Sequence, residues 1–534
     1  MIATFQILLF FLAVLVIVAL IAERLKMAPS ILLVLAGVAL AFVPGLPRIN
    51  LSPEFVLYLL LPPLIYSAGV AMSWREFRYN LRPIALLAFG CVVFTTCAVA
   101  AALHYVLGWQ WGVAFVLGAI VAPPDVVAPL AVARRLRLPR RLLVVLEGEG
   151  LANDATALIL YRFAVAAVSM GVFSLPQAAA TFGLIVVGEI LYGTGVGWMS
   201  LRLRQWAHNP RAEITLSLMT PYIAYWLPLN LGGSGVLATV AAGLYVSWNG
   251  PRLISGATRL QGIFFWDLIV YLIEGFLFLL TGLQARVLWE TAQSFSLREL
   301  VVATLLVTAV AIVARFAWVF PAAYVPRWIS PSLRERDPYP SWQLVFMLSF
   351  TGVRGVVSLA AALAIPLTIE NTDPFPQRDL ILFVAFGAIV ITLVGQGLML
   401  PLVMRWLKLA GEGEAEQRRE REAELAARAE AIREAHRHLD TVAAERKLGA
   451  AVVEFLEARH QHRLRQVPAT IDEAALRSQL NDGLRLELIA AERTFLHDML
   501  RQGKITDESR RRLERELDLE ESAILSNGEG DTPL

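Results

Sequence analysis

Apolar residues in this chain run in stretches too long and too unbroken for the faces of soluble helices. Between short polar breaks they cover residues near 3–22, 29–43, 54–72, 83–106, 112–133, 142–170, 177–201, 213–228, 233–248, 263–288, 299–325, 343–366 and 379–407. A hydrocarbon layer about 30 Å thick takes roughly 20 helical residues to cross, so the pattern predicts thirteen membrane helices. The first is too long, and too closely followed by others, to read as a cleaved leader. After the last stretch the pattern changes. From Glu412 to about His462 the chain is rich in Ala, Glu and Arg. From Ile471 to Leu525, apolar residues such as Leu484, Leu488, Ile489 and Phe495 recur at helical spacing. The expected organisation is a membrane domain over 1–410 and a helical, soluble C-terminal domain over 411–534, with a disordered end from Ser526 to Leu534.

Composition supports the pattern: 57% of the 534 residues are hydrophobic and 17% charged, where a soluble chain carries about a quarter charged. Two cysteines, Cys91 and Cys97, are too few for a disulfide framework. Charge adds an orientation. Up to Gly411 there are 27 Lys and Arg against 18 Asp and Glu, and the rest of the chain reverses this to 20 against 27. Within the membrane part, the odd-numbered loops between spans carry 18 basic residues. The even-numbered loops carry four, at Arg48, Arg286, Arg298 and Arg378. Basic loops stay in the cytoplasm, which places the N-terminus outside and the C-terminal domain inside. No phosphate-binding loop or nucleotide fingerprint occurs, so transport would draw on a gradient rather than ATP. No histidine set in the spans has metal-ligand spacing. Neither a cofactor nor a nucleic-acid partner is expected, and an enzyme activity is not.

A charge held at bilayer depth is costly, on the order of 2.5–3.5 kcal/mol or more, and marks a functional candidate. Asp125, Glu149, Asp154, Arg315 and Arg354 stand out. Counting helical rise from the span ends brings Asp125, Asp154, Arg315 and Arg354 to a common depth near the midplane. Singly, each also fits a structural ion pair. Together, two acids and two bases at one depth point to a solute site. Two spans have interrupted middles. The fifth carries Ala122-Pro123-Pro124-Asp125, where paired prolines remove backbone donors. The twelfth carries Thr351-Gly352-Val353-Arg354-Gly355. If spans 1–6 and 8–13 are repeats, the breaks fall in corresponding positions, which is the pointer to a transporter of inverted repeats. In the sixth span, Gly150 lies one turn before Asp154, leaving space beside the carboxylate, and Asn153 adds a neutral oxygen. Hard alkali cations take such oxygen ligands. A carboxylate that holds either a cation or a proton couples the two by competition.

These residues resemble the monovalent cation/proton antiporters of the sodium/proton exchanger type. The resemblance rests on Glu149 with Gly150-Leu151-Ala152-Asn153-Asp154-Ala155, on Pro124-Asp125, and on Gly352-Val353-Arg354-Gly355-Val356-Val357-Ser358. Leu61-Pro62-Pro63-Leu64 and Glu147-Gly148-Glu149 fit as well. It implies an all-α membrane protein of about thirteen helices in two inverted repeats with crossed discontinuous helices. It also implies a homodimer in the bacterial inner membrane, moving by an elevator-like alternation; the C-terminal helices would serve pH regulation, support of the dimer, or simply solubility. Asp154 would bind Na⁺ (or K⁺) and protons in turn, assisted by Asn153, with Asp125 lining the site. Glu149 would pair with Arg315, and Arg354 would neutralise half-helix dipoles. One Asp preceded by Asn implies electroneutral exchange. Three positions depart from the family: Pro124 where many relatives have Thr, Gly150 where Ser is usual, and Ser67 where a Glu is usual. Two other readings fit the same architecture: a carrier of another solute class, such as an organic-anion symporter, or a membrane receptor that senses an ion without moving it.

Overall fold

The computed structural model describes residues 2–44, 46, 51–136, 138–170, 174–369, 373–447, 449–468, 470–502 and 504–528. Its chain divides into two compact units, Met1–Ala410 and Gly411–Leu534. In the first unit the apolar stretches become helices in sequence order. The first four spans are Ile2–Leu25, Pro29–Ala41, Phe55–Ala71 and Leu81–Leu107. The fifth is two half-helices, Trp111–Val121 and Val127–Arg135. Arg140–Met170, Leu175–Ala207, Pro210–Asn230, Val236–Leu253, Gly256–Thr291 and Leu297–Ile329 form the sixth to eleventh. The twelfth is again two halves, Trp342–Phe350 and Val356–Leu363, and the thirteenth is Arg378–Trp406. Among the described residues, seven helices are each long and apolar enough to cross a membrane unaided.

Local chemistry sets several of these ends. Ser296 accepts from the Glu299 amide while the Glu299 carboxylate accepts from the Ser296 amide, a reciprocal cap on the eleventh span. Ser255 caps the tenth by accepting from the Thr258 amide. Asn209 followed by Pro210 opens the eighth in the same manner. Between the twelfth and thirteenth spans, Thr368–Ile369 pairs antiparallel with Asp373–Pro374. Two residues per strand are too few to leave an alternation in the sequence, so this hairpin is an addition to the expected helices.

Packing between the helices depends on small residues. The second and tenth spans meet at Gly37 and Gly282, where a Cβ on Gly282 would lie 2.8 Å from the Gly37 Cα. The third and ninth meet at Gly69 and Gly243 in the same way. Lipid tails are as apolar as leucine, so close backbone approach rather than the hydrophobic effect draws such helices together. The two contacts are one contact seen twice. Exchanging the halves of the chain carries span 2 onto span 9 and span 10 onto span 3, as the inverted repeats require. The outward faces stay apolar, with Leu184, Leu191, Trp198 and Met199 of the seventh span all exposed. An apolar surface of that extent is what a bilayer covers.

The second unit consists of Ala410–Arg446, Ala450–Gln466, Ile471–Arg501 and Asp507–Gly528. The last two fold back on each other around Ile489, Leu517 and Ile524. Arg485–Glu520 and Arg493–Asp518 ion pairs, at 2.9 and 2.6 Å, close the edges of that hairpin. The final helix extends to Gly528, so Ser526 to Gly528, expected to be disordered, belong to it. Residues 529–534 lie outside the described residues.

The glycine contact gives a stability test. Gly282→Leu has to push apart two backbones, so thermal unfolding in detergent should shift down by an amount equivalent to about 1–3 kcal/mol or more. Gly183→Leu, on an open face with no neighbour within 4 Å, should leave the melting temperature unchanged.

Candidate functional site

The two interrupted spans touch at their breaks. The Asp125 amide donates to the Val353 carbonyl at 2.6 Å, which ties the fifth span to the twelfth through backbone alone. A side chain on Gly355 would occupy the space of the Asp125 carboxylate, so the glycine is what lets the two chains approach. Asp125 Oδ1 in turn accepts from the Val127 amide at 2.9 Å, at the start of the second half-helix. Its negative charge therefore sits at a helix N-terminus, where unpaired amides favour an anion.

Arg354 stands on the other side of the same junction and is almost wholly buried. Its guanidinium donates to the Val121 carbonyl at 2.8 Å and to the Gly352 carbonyl, with a longer contact to Ala311 at 3.4 Å. Val121 and Gly352 lie at or just past the C-terminal ends of the first half-helices. One cation thus serves the bare carbonyls of both breaks. The Arg354 amide is held by Thr392 Oγ1 of the thirteenth span at 3.0 Å.

Glu149 and Arg315 form a separate pair. Arg315 Nη1 and Nη2 donate to Glu149 Oε1 and Oε2 at 2.5 and 2.8 Å, and the two side chains are 0% and 2% exposed. Arg315 also donates to the Leu348 carbonyl of the twelfth span from Nε and Nη2, at 3.2 and 3.0 Å. Arginine charge is taken up by Glu149 and by carbonyls, and among the described residues neither arginine pairs with Asp125 or Asp154.

Asp154 lies on the sixth span facing the fifth. Among the described residues its carboxylate has no hydrogen-bond partner, and it is half-buried. Asn153 beside it is fully buried, and its Nδ2 donates to the Pro124 carbonyl at 2.6 Å. Only an amide N–H can donate to a carbonyl, so this contact fixes which way the side chain points. Asn153 Oδ1 is then left buried with no partner among the described residues. Gly150 does not open space beside Asp154 as expected. A Cβ there would run into the Val126 side chain, so the glycine admits Val126 of the fifth span.

Two further acids, Glu189 and Glu274, also lie within the spans. Glu189 of the seventh is 3% exposed and accepts from the amides of Ser234, Gly235 and Leu237, at 2.5, 3.0 and 3.1 Å. It caps the ninth span across the bundle, and Arg162 donates to the Gly233 carbonyl of the same loop at 2.5 Å. Glu274 of the tenth is a half-buried carboxylate on a segment whose neighbours Ile273, Phe276 and Leu277 pack with Ala128, Val353 and Val356 around the breaks. The rule that singled out Asp154, a charge inside an apolar run, applies equally to Glu189 and Glu274.

Residues 10–406, nearly all of the membrane unit, match the family model described as sodium/hydrogen exchanger, transmembrane. The chain belongs to the sodium/hydrogen exchanger family. An uncharacterised Na⁺/H⁺ exchanger of Mycobacterium tuberculosis is 34% identical over 516 residues, covering 94% of this chain and 93% of that protein. The sodium, potassium, lithium and rubidium/H⁺ antiporter of Bacillus pumilus is 34% identical over 414 residues, 74% of this chain and 61% of that protein. In fold, the chain is similar to the sodium proton antiporter MjNhaP1 from Methanocaldococcus jannaschii, with a TM-score of 0.61 and 21% identity. The match covers 77% of this chain and 99% of that one. This family member is accordingly a multi-pass membrane protein and a secondary antiporter, not an enzyme.

The buried pair gives a prediction for this family fold. Arg315→Met strands Glu149 and should cost about 3–5 kcal/mol, as loss of one partner from a buried pair does. Arg315→Met with Glu149→Leu removes both charges and should regain most of that loss. Thermal melts of the three proteins decide it, and a double variant no better than the single one would mean the pair is not the source of the loss.

Proposed function

We propose that the protein exchanges Na⁺ or K⁺ for H⁺ one-for-one across the bacterial inner membrane, with Asp154 as the carrier of either ion. The observation that carries this reading is the free Asp154 carboxylate beside the unpartnered Asn153 Oδ1. A buried acceptor without a donor costs about 1–3 kcal/mol. A desolvated hard cation relieves that cost directly, since it takes oxygen ligands and nothing else. Asp125, next to the Pro124 whose carbonyl Asn153 holds, completes a negative lining without adding a ligand held by a counter-cation.

A proton on the Asp154 carboxylate removes the negative charge that holds a cation, while a cation takes oxygen from both Asp154 and Asn153. The two occupants therefore exclude each other, and each turnover returns one in place of the other. A single titrating carboxylate makes the exchange electroneutral. The Arg354 contacts neutralise the two half-helix C-termini and stay the same whichever ion is bound. Glu149 and Arg315 hold the sixth, eleventh and twelfth spans together as a structural pair. In this reading the spans that carry the breaks move as one body in an elevator-like alternation, against a scaffold that pairs two copies into a homodimer. The N-terminus faces outward, and the C-terminal helical unit is cytosolic. The names of relatives that exchange sodium and potassium for protons support both cations as substrates.

Reconstituted vesicles test the proposal. Added Na⁺ or K⁺ should dissipate an imposed proton gradient, and for Na⁺ the rate should be unchanged when voltage is clamped with K⁺ and valinomycin. Asp154→Asn should abolish exchange, and Asn153→Ala should raise the apparent KM for the cation by roughly tenfold. Because the ligand must be deprotonated, the apparent KM should rise about tenfold for each pH unit on the acid side of the carboxylate's titration. Exchange retained by Asp154→Asn, or a KM indifferent to pH, overturns the assignment.

A further inference from the structure

At the arginine-rich end of the membrane unit, three guanidiniums converge on one carboxylate. Arg82 at the start of the fourth span donates to Asp337 Oδ2 at 2.9 Å, and Arg141 at the start of the sixth donates to Oδ1 at 2.7 Å. Arg327 at the end of the eleventh donates to Oδ2 at 2.7 Å and to the Asp337 carbonyl at 3.0 Å. Burial alone would raise the Asp337 carboxyl, but Arg141 and then Arg327 outweigh it and hold it below the usual carboxylate range. The acid is therefore fully ionised at neutral pH, and three positive charges still meet one negative. Arg82 Nη1 is buried and, among the described residues, has no acceptor.

The same three arginines border a cavity of about 90 Å³, partly open to the surroundings. Its walls are apolar, formed by Leu86, Leu87, Val145, Val319, Leu344 and Leu348 from the fourth, sixth, eleventh and twelfth spans. Water gains little in such a space, and a fully apolar guest would leave the spare guanidinium donor unmet. The shape of the requirement is an amphiphile, with an anionic end at the arginines and a hydrocarbon end in the cavity. Guanidinium groups match phosphate oxygens with paired N–H donors.

We infer that this cavity is a binding site for an anionic phospholipid, its phosphate on Arg82 and Arg141 and the first part of an acyl chain between the fourth, sixth, eleventh and twelfth spans. The site is independent of which ion the protein carries. Its far wall gives it reach, because Leu348 lends its carbonyl to Arg315 of the buried pair. A chain lodged there packs directly against the helices that hold Glu149 and Arg315.

The test uses the full chain, delipidated in neutral detergent, with binding read by native mass spectrometry and by thermal shift. Phosphatidylglycerol should bind and raise the melting temperature, and phosphatidylcholine should do so at least tenfold less well. Inorganic phosphate at matched concentration should give no shift. Arg82→Gln should weaken phosphatidylglycerol about tenfold. Leu344→Trp, which fills the cavity without touching the charges, should weaken it comparably. Arg202→Gln, on an exposed arginine away from the cavity, should leave it unchanged. Equal binding of both lipids, full binding by Arg82→Gln, or the same loss from Arg202→Gln would overturn the site. A shift with phosphate alone would make it an anion site and overturn the lipid assignment.

Discussion

Two helices broken at corresponding positions expose backbone groups where lipid offers no hydrogen bonds, and the centre of this protein is organised around satisfying them. An unpaired peptide group in hydrocarbon costs several kcal/mol, so the breaks persist only because each finds a partner in the other. Val353 accepts from Asp125 across the junction, Arg354 serves carbonyls on both sides, and the second half of the fifth span begins on the Asp125 carboxylate. The satisfaction is internal to the protein. Among the described residues, polar oxygens remain unspent around Asp154 and Asn153.

This division of labour accounts for the distribution of charge. Arginines in the spans are committed, Arg315 to Glu149 and Arg354 to carbonyls. If the arginines were free, they would neutralise Asp154 and a cation would have no reason to enter. Structural charges are thus paired, and the proposed transporting charge is not. The same logic separates Glu189, which is saturated by backbone amides and caps a helix, from Glu274, which lies near the breaks without such a set.

Much of this was legible from residue order. Thirteen apolar stretches, the prolines at 123 and 124, and the glycines at 352 and 355 gave the helices and their breaks, because backbone chemistry at those residues is local. Contacts between distant spans were less readable. The spacing of Gly150 suggests room for Asp154, yet what fills that space is Val126, a neighbour set by tertiary packing. The Glu189 cap depends on a loop that follows it by more than forty residues. The three arginines on Asp337 come from the ends of three spans, and nothing in their sequence spacing brings them together. The hairpin at Thr368–Ile369 is too short to leave a pattern.

The central claim is that one carboxylate takes either a cation or a proton and never both. Calorimetric titration of the purified protein with Na⁺, repeated in buffers with different heats of protonation, measures it most directly. The account predicts close to one proton released for each cation bound on the acid side of the carboxylate's titration, falling to none well above it. Cation binding that releases no proton at any pH would contradict it.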